Sequence, residues 1–282
     1  MVDAAVFQGL SWNLAHDVTE LFRFPFMVHA LEAGTIVAVM AGVTGWFVVL
    51  RRQAFAGHTL SLTAFTGAAA ATCAGLPLAL GYFGFCGLSA LALAGISGSG
   101  RDHSSESAAI GALQAGVLAL GFLFVSLYHG LLGGLDSLLF GTFLGITSRQ
   151  VLLLLVVAAV SVLAVVLALR PLFFASVDAD VARAAGVPTA ALGLGFLLVL
   201  GLSVAETSQI TGALLVFTLL VTPAATAHRL TARPGLGIAL SVGLALAVTW
   251  IGLGLAYYSV YPAGFFVTSL SFGLYVAVRF LA

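Results

Sequence analysis

Nine stretches of this chain are each close to the length of a membrane-spanning helix and almost wholly apolar. They lie near 28–50, 57–76, 78–97, 108–129, 150–169, 189–205, 209–228, 236–258 and 262–280. A helix needs about 20 apolar residues to cross the hydrocarbon layer, and a bilayer admits only helices and closed barrels. The pattern predicts an all-α polytopic membrane protein, a compact bundle of about eight or nine transmembrane helices. Composition agrees: only 7% of the 282 residues are charged, too few to cover a soluble surface, where about 25% is usual. The seventh run and "LDSLLFGTFLGITS" (135–148) are candidates for re-entrant segments. Residues 1–27 read as a polar N-terminal segment and 28–282 as one membrane domain. No basic start precedes an apolar run there, so no cleavable signal is expected.

Arginine placement predicts the orientation. With the N-terminus outside, Arg51, Arg52, Arg101, Arg170, Arg183, Arg229, Arg233 and Arg279 all face the cytoplasm, and only Arg23 and Arg149 fall outside. Cytoplasmic loops carry the excess of basic residues, so this orientation is the expected one. The chain contains no lysine. A P-loop needs one to reach nucleotide phosphates, so any ATP hydrolysis that drives the chain belongs to a partner. The formal charge balances to zero, and no nucleic-acid partner is expected.

Small residues recur every four positions at Gly34, Ala38 and Gly42 and again at Gly111, Ala115 and Ala119, a spacing that lets helix backbones approach closely in lipid. Cys73 and Cys86 sit in apolar runs and fit neither a disulfide framework nor a zinc site. In "NLAHDVTELFRFPF", His16 and Glu20 lie one turn apart on an interfacial amphipathic helix. Asp102, His103 and Glu106 mark a short solvated loop, and His129 and Asp136 flank another.

Two further segments punctuate the pattern. "ASVDADVARAAGVPTAA" (175–191) reads as a short cytoplasmic helix capped by Asp178 or Asp180, since a carboxylate satisfies free N–H groups at a helix start. "GALLVFTLLVTPAATAHRLTARPG" (212–235) is an apolar run with Pro223 inside it, expected to break or bend the helix, and it ends at His228, Arg229 and Arg233.

Taken in order, "GWFVVLRRQAFAGHTLSLTAFTG" (45–67), "ESAAIGALQAG" (106–116), "LLFGTFLGIT" (138–147), "DADVARAAGV" (178–187) and "GALLVFTLLVTPAATA" (212–227) resemble the membrane subunit of manganese/zinc-type ABC importers. These are related to the cobalamin and siderophore permeases of type II architecture. The resemblance covers most of the chain. It implies a multi-pass permease of a bacterial plasma membrane, paired with a second permease copy, an ATP-binding subunit and an extracytoplasmic binding protein. It also implies a coupling region at about 223–235, with Pro223, His228, Arg229 and Arg233 as candidates and Asp178 and Asp180 beside it. No cofactor is bound by the chain itself; Zn2+ or Mn2+ is the expected cargo.

The first of these stretches departs from the pattern of that family. Its usual wording resembles L-R-R-x-x-F-x-G-D-A-L-S-H-A, whose aspartate and histidine are suspected of guiding the metal. Here His58 stands at the aspartate's position and Leu62 at the histidine's, while Arg51, Arg52, Phe55, Gly57, Leu60 and Ser61 match. Imidazole suits zinc, copper, iron and nickel, whereas oxygen ligands favour manganese. The exchange shifts the expected cargo towards zinc, with manganese next, and makes His58 the candidate metal ligand.

His29 and Glu32, three apart at the outer end of the first span, and Glu206, expected at the outer end of the sixth, join His58 and Ser61 as pathway candidates. A negative charge at a pore mouth attracts cations. Two alternatives stand beside the metal permease. One is the same architecture carrying a metal chelate or siderophore. The other is an ion-driven secondary carrier, which would place coupling acids near the bilayer midplane; no carboxylate is expected at mid-span here.

Overall fold

A computed structural model of the chain describes residues 19–97, 103–128, 145–259 and 261–281. All nine apolar runs are helices: α1 (Pro25–Leu50), α2 (Ala54–Ala74), α3 (Leu78–Ser97), α4 (His103–Leu127), α5 (Ser148–Leu167), then two short helices α6 (Leu169–Val177) and α7 (Ala179–Ala184), and α8 (Thr189–Thr211), α9 (Ala213–Leu230), α10 (Pro234–Tyr257) and α11 (Ala263–Leu281). Seven of the nine long helices have both the length and the apolarity to cross a membrane. The exceptions are α9, which is short, and α2, which is polar.

Local chemistry sets the ends. Pro25 and Pro234 open α1 and α10, positions where a missing N–H costs nothing. Thr147 and Gln150 form a capping box at α5, and Asp178 Oδ1 accepts from the Asp180 and Val181 N–H groups to start α7. Of the two cap candidates, Asp178 is the one used; Asp180 pairs instead with Arg183 at 3.3 Å. Gly75 closes α2 in the left-handed region at φ 66°, the usual glycine solution at a helix end.

The polarity of α2 is compatible with its place because it is the inner helix of one half, packed on α3, α4, α8 and α9. Thr59, Ser61, Thr63 and Thr66 are at most 1% exposed. Their hydroxyls donate to carbonyls three or four residues back, which satisfies them within the helix, and Thr59 and Thr66 also reach α4, at Gln114 Oε1 and the Val117 carbonyl. The other centre is α1, held against α10, α9 and α5. The Gly34–Ala38–Gly42 stripe does pack there. A Cβ on Gly42 would fall 2.6 Å from Val242 Cα of α10, and Ser241 Oγ donates to Gly42 O at 2.8 Å. The second stripe does not: Ala115 and Ala119 are exposed, and the close-packed glycine of α4 is Gly121, against Phe65 and Thr66 of α2.

Contacts between helix ends follow the arginine reading. Arg51 meets Ser176, and Trp46 meets both Phe173 and His228, which gathers the arginine-bearing turns at one end. His29 meets Ser148, and Phe24 meets Tyr257, at the other.

His103 and Glu106, expected in a loop, lie instead at the start of α4. The sixth span does not stop at 205 but runs to Thr211, because Ala205, Glu206, Thr207, Ser208 and Thr211 are buried in the bundle. Pro223 does not break its helix: α9 continues through it to Leu230. The region 223–235 thus comprises the end of α9 and the turn into α10. Pro223, Ala224 and Ala227 are buried, and the free-standing short helix at that end is α7. His16, Asp102, His129, Asp136 and all but the end of the 135–148 segment lie outside the described residues. Glu20 pairs with Arg23 at 3.6 Å.

Candidate functional site

At the end of the bundle away from Arg51 and Arg52, the second turn of α1 presents His29 and Glu32. The imidazole Nδ1 lies 3.2 Å from Glu32 Oε2, and Nε2 lies 3.2 Å from Ser148 Oγ at the start of α5. The spacing of three that puts both on one helix face was legible in the sequence; the tie to Ser148 was not. Glu32 is half exposed, so this carboxylate–imidazole pair is open to an arriving cation.

His58 lies in the second turn of α2, just past the Arg51–Arg52 turn. Its ring centroid is 4.7 Å from that of Phe217 on α9, and Nδ1 is buried with no hydrogen-bond partner among the described residues. A buried ring nitrogen without a partner is costly, and it is the atom a passing cation or water would use. Ser61 does not join it, because its hydroxyl donates to the His58 carbonyl at 2.7 Å and the residue is 1% exposed. Leu62 leaves the next turn apolar. Among the described residues no three His, Cys, Asp or Glu side chains gather closely enough to hold a metal ion. The site therefore suits transient contact and not storage.

Glu206 is the clearest departure. It is only 2% exposed, and Gln209 Nε2 donates to its Oε2 at 3.1 Å. Thr207, Ser208 and Thr211 beside it are also buried. The Ser203 and Ser208 hydroxyls have no partner among the described residues. The pore-mouth carboxylate expected there is thus an interior one, in a polar pocket next to the α8–α9 turn at Gly212. Ionisable groups inside a membrane bundle are costly and mark ion paths or proton relays. Gln209 was missed in the sequence because only burial distinguishes it from an interfacial glutamine.

Along α9, Phe217, Thr218, Val221, Thr222 and Ala225 form a half-exposed face. The face continues from the contact with His58 towards the arginine end. No hydrogen bond links His58 to Glu206 among the described residues, and the two sit near opposite ends of their helices. The arrangement is a series of separate polar stations, not one coordination sphere.

The arginine end sorts the remaining candidates. His228 Nε2–H donates to the Trp46 carbonyl at 3.1 Å while its ring stacks on the indole at 4.9 Å and 15°. That engagement turns it into the chain and out of the outward-facing set. Arg229 is exposed and lies over the Tyr275 ring at 5.5 Å. Arg233 is exposed at the start of α10. Asp180 and Arg183 of α7 are both exposed, which makes α7 the most accessible ordered segment at this end.

A model of the ABC 3 transport family matches residues 23–282. The manganese transport system membrane protein MntC of Halalkalibacterium halodurans is 30% identical over 221 residues, covering 78% of this chain and 75% of that protein. The chelated iron transport system membrane protein YfeC of Yersinia pestis is 28% identical over 261 residues, 93% of this chain and 88% of that one. Among solved structures, a chain of PsaBC from Streptococcus pneumoniae in complex with Fab superposes with a TM-score of 0.83 at 26% identity, covering 95% of this chain and 96% of that chain.

Proposed function

Because the chain belongs to the ABC 3 transport family, we propose that it forms the membrane pathway by which an ATP-driven importer takes up a divalent transition metal. It is a multi-pass membrane permease subunit and not an enzyme. Without a lysine it holds no P-loop, so ATP is hydrolysed by a separate subunit. The exposed α7, with Asp180 and Arg183, is the surface we assign to that subunit, with Arg229 and Arg233 beside it. A binding protein delivers the ion to His29 and Glu32, and a second copy of the chain completes the path opposite the half-exposed face of α9.

The observation that carries the cargo assignment is His58, whose buried Nδ1 is unpartnered. A lone imidazole offers a borderline ligand that suits zinc and iron better than manganese, and a single ligand releases its ion readily. Zinc is the favoured ion on this chemistry. The relatives' names speak of manganese and of chelated iron, so both belong in the test. A chelate is the second reading, favoured by the lack of any multi-ligand site among the described residues.

The test is ATP-dependent uptake into vesicles that hold the permease, its ATPase and its binding protein. Free zinc should accumulate, and His58→Ala should lower the rate without loss of complex assembly. Uptake of a chelate with no uptake of any free ion overturns the metal-ion reading. Undiminished uptake by His58→Ala removes that residue from the path.

A further inference from the structure

The sequence treats Arg51 as one of eight basic residues that fix orientation. Its surroundings are more particular. The guanidinium is more than half buried at the end of α1, donating from NH1 to Ser176 Oγ at 3.2 Å and from Nε to Gln53 Oε1 at 3.4 Å. It also lies 5.4 Å over the Phe196 ring. No carboxylate comes within 4.0 Å of it among the described residues. Burial pushes its pKa below the usual arginine value, and no opposing charge contributes. A partly desolvated cation without a counter-ion is unfavourable unless something supplies one.

Arg51 opens onto a cleft of about 670 Å³ between α3, α6–α7 and α8. Its polar lining is Arg51, Arg183, Ser97 and Thr189; Arg183 is paired with Asp180 at 3.3 Å, so Arg51 is the lining cation left without a carboxylate among the described residues. Its apolar lining includes Leu91 and Leu194, which are 51% and 37% exposed. The first turn of α8 starts at this wall after Pro188, with no capping side chain, so its free N–H groups add to the positive potential. Holding an unopposed cation beside exposed leucines, the cleft matches one molecule on both counts. We propose that it is a binding site for the headgroup of an anionic phospholipid, whose phosphate pairs with Arg51 and whose acyl chain lies along Leu91 and Leu194.

Free phosphate would satisfy Arg51 but not the apolar wall. Anionic and zwitterionic lipids both offer a phosphate to Arg51, so the preference between them comes from the choline cation, a second positive charge beside an arginine with no carboxylate within 4.0 Å among the described residues; a tenfold preference corresponds to about 1.4 kcal/mol of that repulsion. The inference concerns the membrane and not the cargo, so it stands or falls independently of which ion is carried.

Native mass spectrometry of the full chain with its ATPase subunit, released from detergent after delipidation, reads the site directly. With phosphatidylglycerol added, one tightly held lipid per permease is expected, retained about tenfold more than phosphatidylcholine, and inorganic phosphate should not displace it. Arg51→Gln should abolish the preference, whereas Arg23→Gln at the outer end should keep it. Gly95→Phe provides the charge-neutral check. Gly95 lines the cleft, and a Cβ there meets no atom within 4 Å, so the ring should occlude the bound lipid without disturbing the helices. Equal retention of the two lipids by the unaltered complex, as when the ATPase itself fills the cleft, overturns the proposal. So does an unchanged preference in Arg51→Gln, undiminished lipid in Gly95→Phe, or displacement by inorganic phosphate.

Discussion

One of the tightest helix crossings among the described residues offers a sharp test of the fold. A Cβ on Gly45 of α1 would fall 1.9 Å from the Leu220 carbonyl oxygen of α9, where real Cβ contacts essentially never come under 3.0 Å. The obstructing atom is backbone, so no rotamer change relieves it, and Gly45→Ala must part the two helices by roughly 1 Å. A gap of that size forfeits about a quarter to a half of each dispersion contact of ~0.1–0.2 kcal/mol. Over a few tens of atom pairs along the seam, this comes to about 2 kcal/mol, within the usual range for overpacking. At roughly 2–4 °C per kcal/mol, melting followed by tryptophan emission in detergent should fall by about 4–8 °C. Transport should fall as well, because Phe217, the ring against His58, lies one turn from Leu220 on the displaced helix. Gly95→Ala is the control, since a Cβ there meets nothing within 4 Å, and helix propensity favours alanine by about 1 kcal/mol. A Gly45→Ala protein that melts within about 2 °C of the parent would refute the argument that this crossing depends on the missing side chain.

Three other substitutions probe separate parts of the argument. Glu206→Gln keeps the shape and removes the interior charge, so metal uptake should drop about tenfold or more while melting stays level or rises; uptake equal to the parent would make the carboxylate structural. Asp178→Ala removes both cap hydrogen bonds of α7 and should destabilise that turn by about 1 kcal/mol, read as faster amide exchange at Asp180 and Val181 and as weaker pull-down of the ATPase subunit. Arg52 is the one non-glycine residue with positive φ among the described residues, at 56°. Arg52→Gly should therefore relieve about 1 kcal/mol of backbone strain and raise the melting temperature by a few degrees; a fall would mean that the side chain holds the turn.

Much of this protein was legible because a bilayer leaves little freedom. Apolar runs of the right length become helices in a bilayer, so all nine long helices could be read without coordinates. Motif spacing carried the family resemblance, and His58 at a carboxylate's usual position identified the residue on which the cargo question turns. Asp178 as a cap was also readable, since a cap is a local matter of four residues.

Tertiary structure decided whatever depends on what lies across from a residue. Two stripes of small residues look alike in sequence, yet Gly34–Ala38–Gly42 is pressed against α10 while Ala115 and Ala119 face outward. Pro223 was expected to break or bend its helix, and α9, with neighbours on several sides, is not broken there. Glu206 moved from a pore mouth to a buried pocket because its run of polar residues is covered by other helices, and His228 turned inward because Trp46 offers both a carbonyl and a ring. The same holds for Arg51: the sequence supplies its charge, but only the packing of α3, α6 and α8 leaves that charge half buried without a carboxylate partner among the described residues. One-dimensional pattern thus fixes which segments lie in lipid and which way they run, because solvation acts on each segment by itself. Burial and pairing arise between segments, and no single stretch of sequence contains them.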